Sequence, residues 1–394
     1  NVYLTIDVRI QRKAEELMAG REGVVVALDP RNGDVLALLS FPAFDPTVCV
    51  GGIDPEAWLR LQQHELKPLH NRAIQGQYAP GSTYKLVTAT AALEEGKITP
   101  QTLVFCPGYF SQGKRTYRCW RHEGHGFMNL HNAIIQSCDV FFYKAGTAAG
   151  VDKLAYYARS FGLGKPTQID LAGEADGLVA STQWKERRYH DKWHPGDTVS
   201  LSIGQGYNTV TPLQMATAFA AVANGGQLVT PRIVSRVTTV EGKIEKEFPP
   251  SIRGYVSASK TTLDLLHQGF LEAVEGERGT GRAARVEGVR IAGKTGTAQV
   301  VSARYKGARG ARIGDHAWFI GYGPAEAPEI VVAVLVEHGG GGGAVAAPIA
   351  KGILQQALVE NRKAPVPLLP LLPLQQAAVA PNRAERNGKG AGAH

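Results

Sequence analysis

The chain lacks any long hydrophobic run and any signal-peptide pattern. None of its 394 residues lies in a stretch of about 18 consecutive apolar residues, the length that a membrane-spanning helix needs. Residues 1–17 alternate like a strand and then continue as a helix, a pattern that signal peptides do not have. We therefore expect that the sequence starts at a domain edge and that a membrane anchor lies upstream.

Aromatic residues and strong net charge are also scarce. Phe, Trp and Tyr make up 8% of the chain, and the net charge is +8. Residues 304–312 contain four Lys and Arg side chains, a number equal to half the net charge. Tyr305 is the only residue in this segment with a ring that could stack on a base. Nucleic-acid surfaces combine cations with several aromatic side chains, so we expect a solvated basic loop and no nucleic-acid partner.

The residues that are abundant indicate a large globular fold. A hydrophobic content of 44% over this length can bury a large core, and 46 glycines suggest many tight turns in a mixed α/β or α+β fold. Residues 363–394 are rich in proline and then polar and of low complexity, which predicts a flexible tail. We place one domain over residues 1–362.

Strand patterns lie at both ends of this domain and helical patterns lie in its middle. Residues 23–42 form two apolar strand patterns around the turn sequence DPRNGD. Three more strand patterns follow late in the chain, at residues 288–301, 315–324 and 328–338. Residues 80–160 and 210–224 are helical in pattern, with an irregular Cys-containing insertion at about 97–130. This order predicts one sheet built from both chain ends.

The stretch YAPGSTYKLVTATAALEEG sets Ser82 and Lys85 one helical turn apart at the start of an apolar run. Alone this is a weak signal, because Ser is a common N-cap residue and Lys is common on helix surfaces. The residues that follow are small and apolar on most sides, which indicates a buried helix. Burial disfavours the ammonium form of Lys85, so a neutral amine could take the proton of the Ser82 hydroxyl and activate it.

Two further motifs follow in order. A Ser-x-Asp motif occupies residues 137–139 in QSCDVFFYKAG, and Lys-Thr-Gly-Thr occupies residues 294–297 in AGKTGTAQV. Each has an ordinary alternative: a helix N-cap with an acid in the first turn, or a polar strand edge. The order Ser-x-x-Lys, Ser-x-acid, Lys-Thr-Gly is typical of penicillin-recognising acyl-serine enzymes, so the joint pattern favours catalysis.

The residue types of the first two motifs suit acyl transfer. Ser82 attacks a carbonyl and Lys85 takes its proton. Ser137 can relay this proton to the leaving amine, and Asp139 can orient Lys85 or Ser137. The backbone N–H groups of Ser82 and Thr297 are the expected oxyanion donors.

The third motif suits a substrate that ends in a free carboxylate. Lys294 supplies a positive charge and Thr297 supplies a hydroxyl group. Gly296 has no Cβ, so we expect that an extended peptide can pair along this strand edge.

Longer stretches resemble the transpeptidase domains of class B, elongation-type penicillin-binding proteins over nearly all of residues 1–360. They are TIDVRIQ, VVALDPRNGDVLALLSFPAFDP, NRAIQGQYAPGSTYK, LSIGQGYNTVTPLQMATAFAAVANGG and DHAWFIGYGP. The resemblance implies an α/β (α+β) fold of the penicillin-binding and serine β-lactamase type, with a central antiparallel sheet flanked by helices and an all-helical subdomain. It implies catalytic roles for Ser82, Lys85, Ser137, Asp139 and Lys294, and substrate binding by Thr295, Gly296 and Thr297.

The activity that the resemblance implies is cross-linking of peptidoglycan stem peptides during cell elongation, through an acyl-serine that β-lactams also form. Such enzymes need no cofactor for the chemistry and work in the periplasm, on the outer face of the bacterial cytoplasmic membrane, beside a membrane glycosyltransferase. One departure concerns Asp139, since the wider family usually has Asn there. An acid adds negative charge beside Lys85 and Lys294.

Other functions share the acylation residues. A class A serine β-lactamase also needs a Glu followed by Asn at a fixed offset, and the acids of residues 140–290 show no such partner, so hydrolysis should be slow. A non-catalytic β-lactam sensor or a glycosyltransferase-activating subunit keeps the same residues. The sequence leaves these alternatives open, although nothing in it resembles an attached signalling segment.

Three of the four cysteines, Cys106, Cys119 and Cys138, lie in or just after the insertion together with three histidines. Three thiolates and one imidazole suit a closed structural zinc site. We choose His125, because glycines on both sides free its backbone, whereas the other two histidines stand beside charged residues or on a predicted helix. A disulfide between Cys106 and Cys119, or three free buried thiols, are the alternatives.

Overall fold

The computed structural model describes residues 1–299 and 314–363. The basic loop at 304–312 and the tail at 363–394, except for its first residue, lie outside this part. The strands are β1 (Val2–Leu4), β2 (Gly23–Leu28), β3 (Val35–Phe41), β4 (Val104–Cys106), β5 (Tyr109–Gln112), β6 (Arg115–Arg118), β7 (Gly126–Met128), β8 (Gln227–Val229), β9 (Val234–Thr238), β10 (Ile244–Glu247), β11 (Ile252–Tyr255), β12 (Ala292–Ala298), β13 (His316–Gly323) and β14 (Ile330–Val336).

The helices connect and cover these strands. They are α1 (Val8–Met18), α2 (Pro55–Gln63), α3 (Lys85–Glu94), α4 (Leu130–Ile135), α5 (Asp139–Ala149), α6 (Val151–Ser160), α7 (Thr182–Tyr189), α8 (Pro195–Leu201), α9 (Pro212–Ala223), α10 (Lys260–Glu275), α11 (Gly342–Gln355) and α12 (Asn361–Lys363). None of the helices in the described ranges has the length and apolar character that crossing a membrane requires.

A five-stranded antiparallel sheet in the order β12-β13-β14-β2-β3 forms the centre of the domain. Strands β2 and β14 pair directly, so the two ends of the chain lie side by side. All residues of these two strands are buried, because helices cover both faces of the sheet. The prediction of a central antiparallel sheet built from both chain ends is confirmed.

The sheet separates two apolar cores. On one face, α1 and α11 pack against the strands, and Met18 and Ile353 are among the residues that they bury. The larger core, on the other face, holds the helical middle of the chain, including α3, α5, α9 and α10, with Phe141, Phe219 and Phe270 inside it. Successive residues of β14 alternate between the two cores, as the two-residue period of a strand requires.

The segment that carries Ser82 is more tightly wound than the sequence pattern predicts. Residues Gly81–Tyr84 form a 3₁₀ turn, and α3 begins only at Lys85. Gly81 has a φ of 54°, which favours glycine, and a Cβ there would lie 2.6 Å from the carbonyl oxygen of Thr297. The Gly81 N–H donates to the carbonyl of Gly204 at 3.0 Å. The turn is therefore held between β12 and the loop after α8.

A partly buried polar network fixes the residues just before this turn. Arg72 Nε donates to Glu337 Oε1 at 3.0 Å, and the hydroxyl of Tyr78 donates to the same oxygen at 2.6 Å. The indole of Trp318, on β13, donates to the carbonyl of Ala79 at 3.2 Å. These contacts connect the approach to Ser82 with β13 and with the end of β14.

The Cys-containing insertion is more regular than predicted. It contains two short antiparallel ladders, β4 with β7 and β5 with β6. Its buried side chains, which include Cys106, Tyr117, Cys119 and Met128, join the larger core. The insertion is thus packed against the helices that carry the second motif.

Candidate active site

The first two motifs meet at the amine of Lys85, which begins α3 and is 2% exposed. Its Nζ donates to the Ser137 carbonyl at 2.9 Å, to Ser137 Oγ at 3.0 Å and to Asp139 Oδ1 at 2.7 Å. An ammonium has three N–H donors, and all three are matched. Lys85 is buried, as the sequence pattern predicts. The sequence-based expectation was a neutral amine, whereas the carboxylate of Asp139 beside this amine can balance a positive charge.

The Ser-x-Asp turn is a constrained piece of backbone. Ser137 has a φ of 53°, in the left-handed region that residues other than glycine seldom adopt. Cys138 is the N-cap of α5 and Asp139 its first residue, so the helix dipole stabilises the carboxylate. The second carboxylate oxygen, Asp139 Oδ2, accepts the backbone N–H of Trp120 at 2.9 Å. Both oxygens of Asp139 therefore have fixed partners.

Lys294 lies close to this pair but in a different environment. It is fully buried, and in the described part of the chain its Nζ has one hydrogen bond, to the Thr295 carbonyl at 3.2 Å. Burial lowers the pKa of Lys294 well below its ordinary value, and the positive charge of Lys85 acts in the same direction while Asp139 opposes it. The third motif therefore shares one site with the first two.

Gly296 is required for close packing. A Cβ at this position would lie 2.9 Å from Trp318 Cβ and 3.0 Å from Thr83 Cγ2, both of which are tighter than ordinary contacts. The absence of a side chain lets β12 approach the 3₁₀ turn that carries Ser82. This packing is a second reason for a glycine here, beside the predicted pairing of a substrate peptide along the strand edge.

The two threonines of the third motif differ in accessibility. Thr295 is buried, and its hydroxyl donates to Thr280 Oγ1 at 2.9 Å. Thr297 is exposed, and its carbonyl accepts Gln205 Nε2 at 3.2 Å. Thr297 is thus the residue of this motif whose side chain is open to a ligand. Ser82 is half-buried in the turn packed against the same strand.

The predicted metal ligands also come together. The ligand atoms of Cys106, Cys119, His125 and Cys138 all lie within 4.8 Å of one another, and the three cysteines are free thiols. His125 Nδ1 lies 3.6 Å from Cys106 Sγ and 3.5 Å from Cys119 Sγ. Tetrahedral zinc, with bonds of about 2.3 Å to sulfur and about 2.0 Å to nitrogen, separates such atoms by about 3.5 Å. The donor set and spacing fit a zinc ion.

The thiols of this cluster influence each other. A hydrogen bond with the Cys138 thiol lowers the pKa of Cys119. The same contact, together with burial, raises the pKa of Cys138. Because Cys138 lies between Ser137 and Asp139, the cluster stands directly behind the second motif.

Two residues that contact this site were not predicted from the sequence. Trp120 bonds the Ser-x-Asp turn through its backbone and its indole, and Gln205 bonds the backbone of Thr297. For Trp120, the only signal in the sequence was its position next to the candidate metal ligand Cys119. For Gln205, the only signal was its place in the stretch LSIGQGYNTVTPLQ. Neither signal indicates a role without the tertiary contact.

Comparison with known proteins agrees with this geometry. A family model described as the penicillin binding protein transpeptidase domain matches residues 23–355. Curated relatives include the peptidoglycan D,D-transpeptidase MrdA of Acinetobacter baumannii, 39% identical over 375 residues, which cover 93% of this chain and 55% of the relative. MrdA of Escherichia coli K12 is 36% identical over 363 residues, covering 88% of this chain and 56% of the relative. The chain spans little more than half the length of these relatives.

Solved structures show the same similarity. Pseudomonas aeruginosa PBP2 in complex with WCK 5153 superimposes with a TM-score of 0.82 and 38% identity, over 91% of this chain and 79% of that chain. Helicobacter pylori PBP2 in its complex with MreC gives a TM-score of 0.80 and 33% identity, over 90% and 63% of the two chains.

The environment of Lys294 predicts a gain in stability on its removal. We expect Lys294→Met to raise the free energy of unfolding at neutral pH by about 1 to 3 kcal/mol, because a desolvated amine is replaced by an apolar side chain of similar length. The amine of Lys294 binds a proton more readily in the unfolded chain than in the folded chain. The stability of the wild type therefore rises as the pH increases up to 10.5, the ordinary pKa of a lysine.

The gain should therefore shrink as pH increases. Urea denaturation at neutral pH and at about pH 9.5 measures this difference, with Lys144→Met, at an exposed position, as the control. A loss of stability in Lys294→Met, or a gain that does not depend on pH, would contradict this account of the buried amine.

Proposed function

This chain belongs to the penicillin-binding protein transpeptidase family, and we propose that it is the catalytic domain of a peptidoglycan D,D-transpeptidase. In this proposal the domain occupies residues 1–362, acts through an acyl-serine during cell elongation and is inhibited by β-lactams. The observation that carries the proposal is the meeting of the Ser-x-x-Lys and Ser-x-Asp motifs at Lys85 Nζ, beside Lys294. The name of the MrdA relatives supports the reaction class.

The acylation step follows from these contacts. One proton of Lys85 Nζ first moves to Asp139 Oδ1, 2.7 Å away, which leaves a neutral amine. Ser82 Oγ then attacks the penultimate carbonyl of a stem peptide that ends in D-Ala-D-Ala, and its proton passes to this amine as the new C–O bond forms. Ser137, whose Oγ lies 3.0 Å from Lys85 Nζ, relays a proton to the amine of the departing D-Ala as the C–N bond breaks. An amine of a neighbouring stem then attacks the acyl-serine, and Ser82 regains its proton. Asp139 holds Lys85 in place and returns the proton to its amine when the cycle ends.

The third motif serves donor binding. A terminal carboxylate beside Lys294 supplies the counter-charge that this buried amine lacks, so donor binding favours its ammonium form. The exposed hydroxyl of Thr297 is a second partner for the carboxylate, and Thr295 and Gly296 contribute their backbone. The backbone N–H groups of Ser82 and Thr297 are the proposed oxyanion donors.

The setting of the reaction is part of the same proposal. The substrate places the domain in the periplasm, held to the cytoplasmic membrane by an anchor upstream and working beside a membrane glycosyltransferase of the elongation machinery. The solved complex of Helicobacter pylori PBP2 with MreC supports a place in a larger assembly. Peptidoglycan stems and β-lactams are the proposed ligands.

Labelling with a penicillin tests the acylation step. We expect intact-protein mass to increase by one penicillin per chain, with the adduct mapped to the peptide that contains Ser82, because the activated hydroxyl opens the lactam ring. Ser82→Ala should show no adduct while melting at the wild-type temperature. An adduct on another residue, or none on the wild type, would contradict the proposed nucleophile.

Two further assays separate the alternatives. Rapid turnover of a chromogenic cephalosporin would identify a β-lactamase instead. Acylation without cross-linking of stem peptides, by full-length protein in the presence of a glycan polymerase, would identify a sensor or an activating subunit.

We also propose that Cys106, Cys119, His125 and Cys138 hold a structural zinc ion. Their fit rests on the donor set and on the sulfur-to-nitrogen spacing of 3.5–3.6 Å. When bound, the ion would stabilise the insertion and take no part in acyl transfer. The His125 ligand atom would be Nδ1, which faces the thiols. A disulfide between Cys106 and Cys119 and three free buried thiols are the competing states.

Metal analysis of protein purified without chelator tests the zinc site. We expect about one equivalent of zinc per chain. Cys106→Ser should lose the metal and lower the melting temperature, because metal binding stabilises the folded state, whereas Cys49→Ser, at an exposed position, should change neither. Less than about half an equivalent of zinc together with oxidised thiols would contradict the proposal.

A further inference from the structure

Trp120 makes contacts that are unusual for an exposed side chain. It is 54% exposed, so water could satisfy its indole N–H. Instead Nε1 donates to the carbonyls of Gln136 at 3.0 Å and Ser137 at 3.1 Å, and the backbone N–H donates to Asp139 Oδ2 at 2.9 Å. The backbone N–H and the indole N–H of Trp120, which lies in the insertion, therefore both bind the Ser-x-Asp turn.

The carbonyl of Ser137 is shared between Trp120 and the proposed base. It accepts Lys85 Nζ at 2.9 Å and Trp120 Nε1 at 3.1 Å, which uses both of its lone pairs. Ser137 reaches this arrangement with a φ of 53°, a conformation that persists only where the surroundings hold it. The indole supplies one of the restraints that hold the turn.

The carboxylate of Asp139 is divided in the same way. Oδ1 faces Lys85 Nζ at 2.7 Å, while Oδ2 faces the backbone N–H of Trp120 at 2.9 Å. A carboxylate anchored on one side has little freedom to rotate, so Oδ1 stays directed at the amine. Trp120 is therefore linked to Lys85 through two shared neighbours, the Ser137 carbonyl and the Asp139 carboxylate.

The position of Trp120 connects this turn to the cysteine cluster. Trp120 follows Cys119 in the chain, its ring lies edge-on to the His125 ring at 5.3 Å, and Cys138 lies inside the turn itself. We propose that Trp120 is a positioning residue for acylation, which holds the Ser137 backbone and the Asp139 carboxylate in the geometry that Lys85 requires. This inference rests on the proposed function.

The phenylalanine variant tests the role of the indole N–H. Trp120→Phe keeps the backbone donor and most of the ring but removes the bonds to the two carbonyls. We expect the first-order acylation rate constant with a fluorescent penicillin to fall about tenfold, with the dissociation constant of the non-covalent complex changed less than about twofold. Zinc content and melting temperature should remain close to the wild-type values, because the ring still packs on His125.

Trp58→Phe is the matched control, since Trp58 lies on α2 and is also partly exposed. Its acylation kinetics should equal those of the wild type. If Trp120→Phe does not fold, the isosteric replacement of the Trp120 indole by benzothiophene removes the N–H donor while keeping the bicyclic ring, and the same loss in rate is expected.

Two results would overturn the inference: a folded Trp120 variant that acylates at the rate of the Trp58 control, or a rate loss that comes only from weaker non-covalent binding. Failure of the proposed function gives a different result, because wild-type protein would then form no adduct at Ser82. A wild type that is acylated normally and a Trp120 variant that matches it would leave the proposed function intact and reject only the positioning role.

Discussion

The ion pair between Lys85 and Asp139 is the interaction on which the site depends. The two groups lie 2.7 Å apart, and their side chains are 1% and 9% exposed. An ammonium in such a place is tolerated only with a compensating charge and filled hydrogen bonds. By meeting this requirement, the pair fixes the start of α3 against the start of α5, and with them the serine turn against the Ser-x-Asp turn.

The surrounding residues hold the serine turn and the Ser-x-Asp turn in place around this ion pair. Glycines at positions 81, 204 and 296 let the serine turn, the loop after α8 and β12 approach one another, while Trp120 holds the strained turn at Ser137. Lys294 contrasts with Lys85, because no described carboxylate bonds it and burial lowers its pKa. Two buried lysines in unlike environments suit the two tasks that we propose for them, proton transfer and recognition of an arriving carboxylate. In this proposal, recognition of the carboxylate by Lys294 lowers the stability of the free protein for the sake of function.

The sequence predicts those features that leave a local pattern. Strands β2 and β14 are continuous apolar runs, and the cysteines and His125 are dense enough to suggest one cluster, which the structure assembles. Contacts between distant positions leave no such pattern, so the bond from Arg72 to Glu337, 265 residues apart, and the contacts of Trp120 were not predicted. The packing of Gly296 against Trp318 and Thr83 was not predicted either, because a strand edge and a tight packing contact both favour glycine.

A double-mutant cycle on Lys85 and Asp139 tests the central claim most directly. Free energies of unfolding would be measured for the wild type, Lys85→Met, Asp139→Asn and the double variant. Because each single change leaves a buried group without its partner, the account predicts a coupling energy of at least about 2 kcal/mol. Single losses that add to within about 0.5 kcal/mol would contradict it, since the two side chains would then contribute independently to stability.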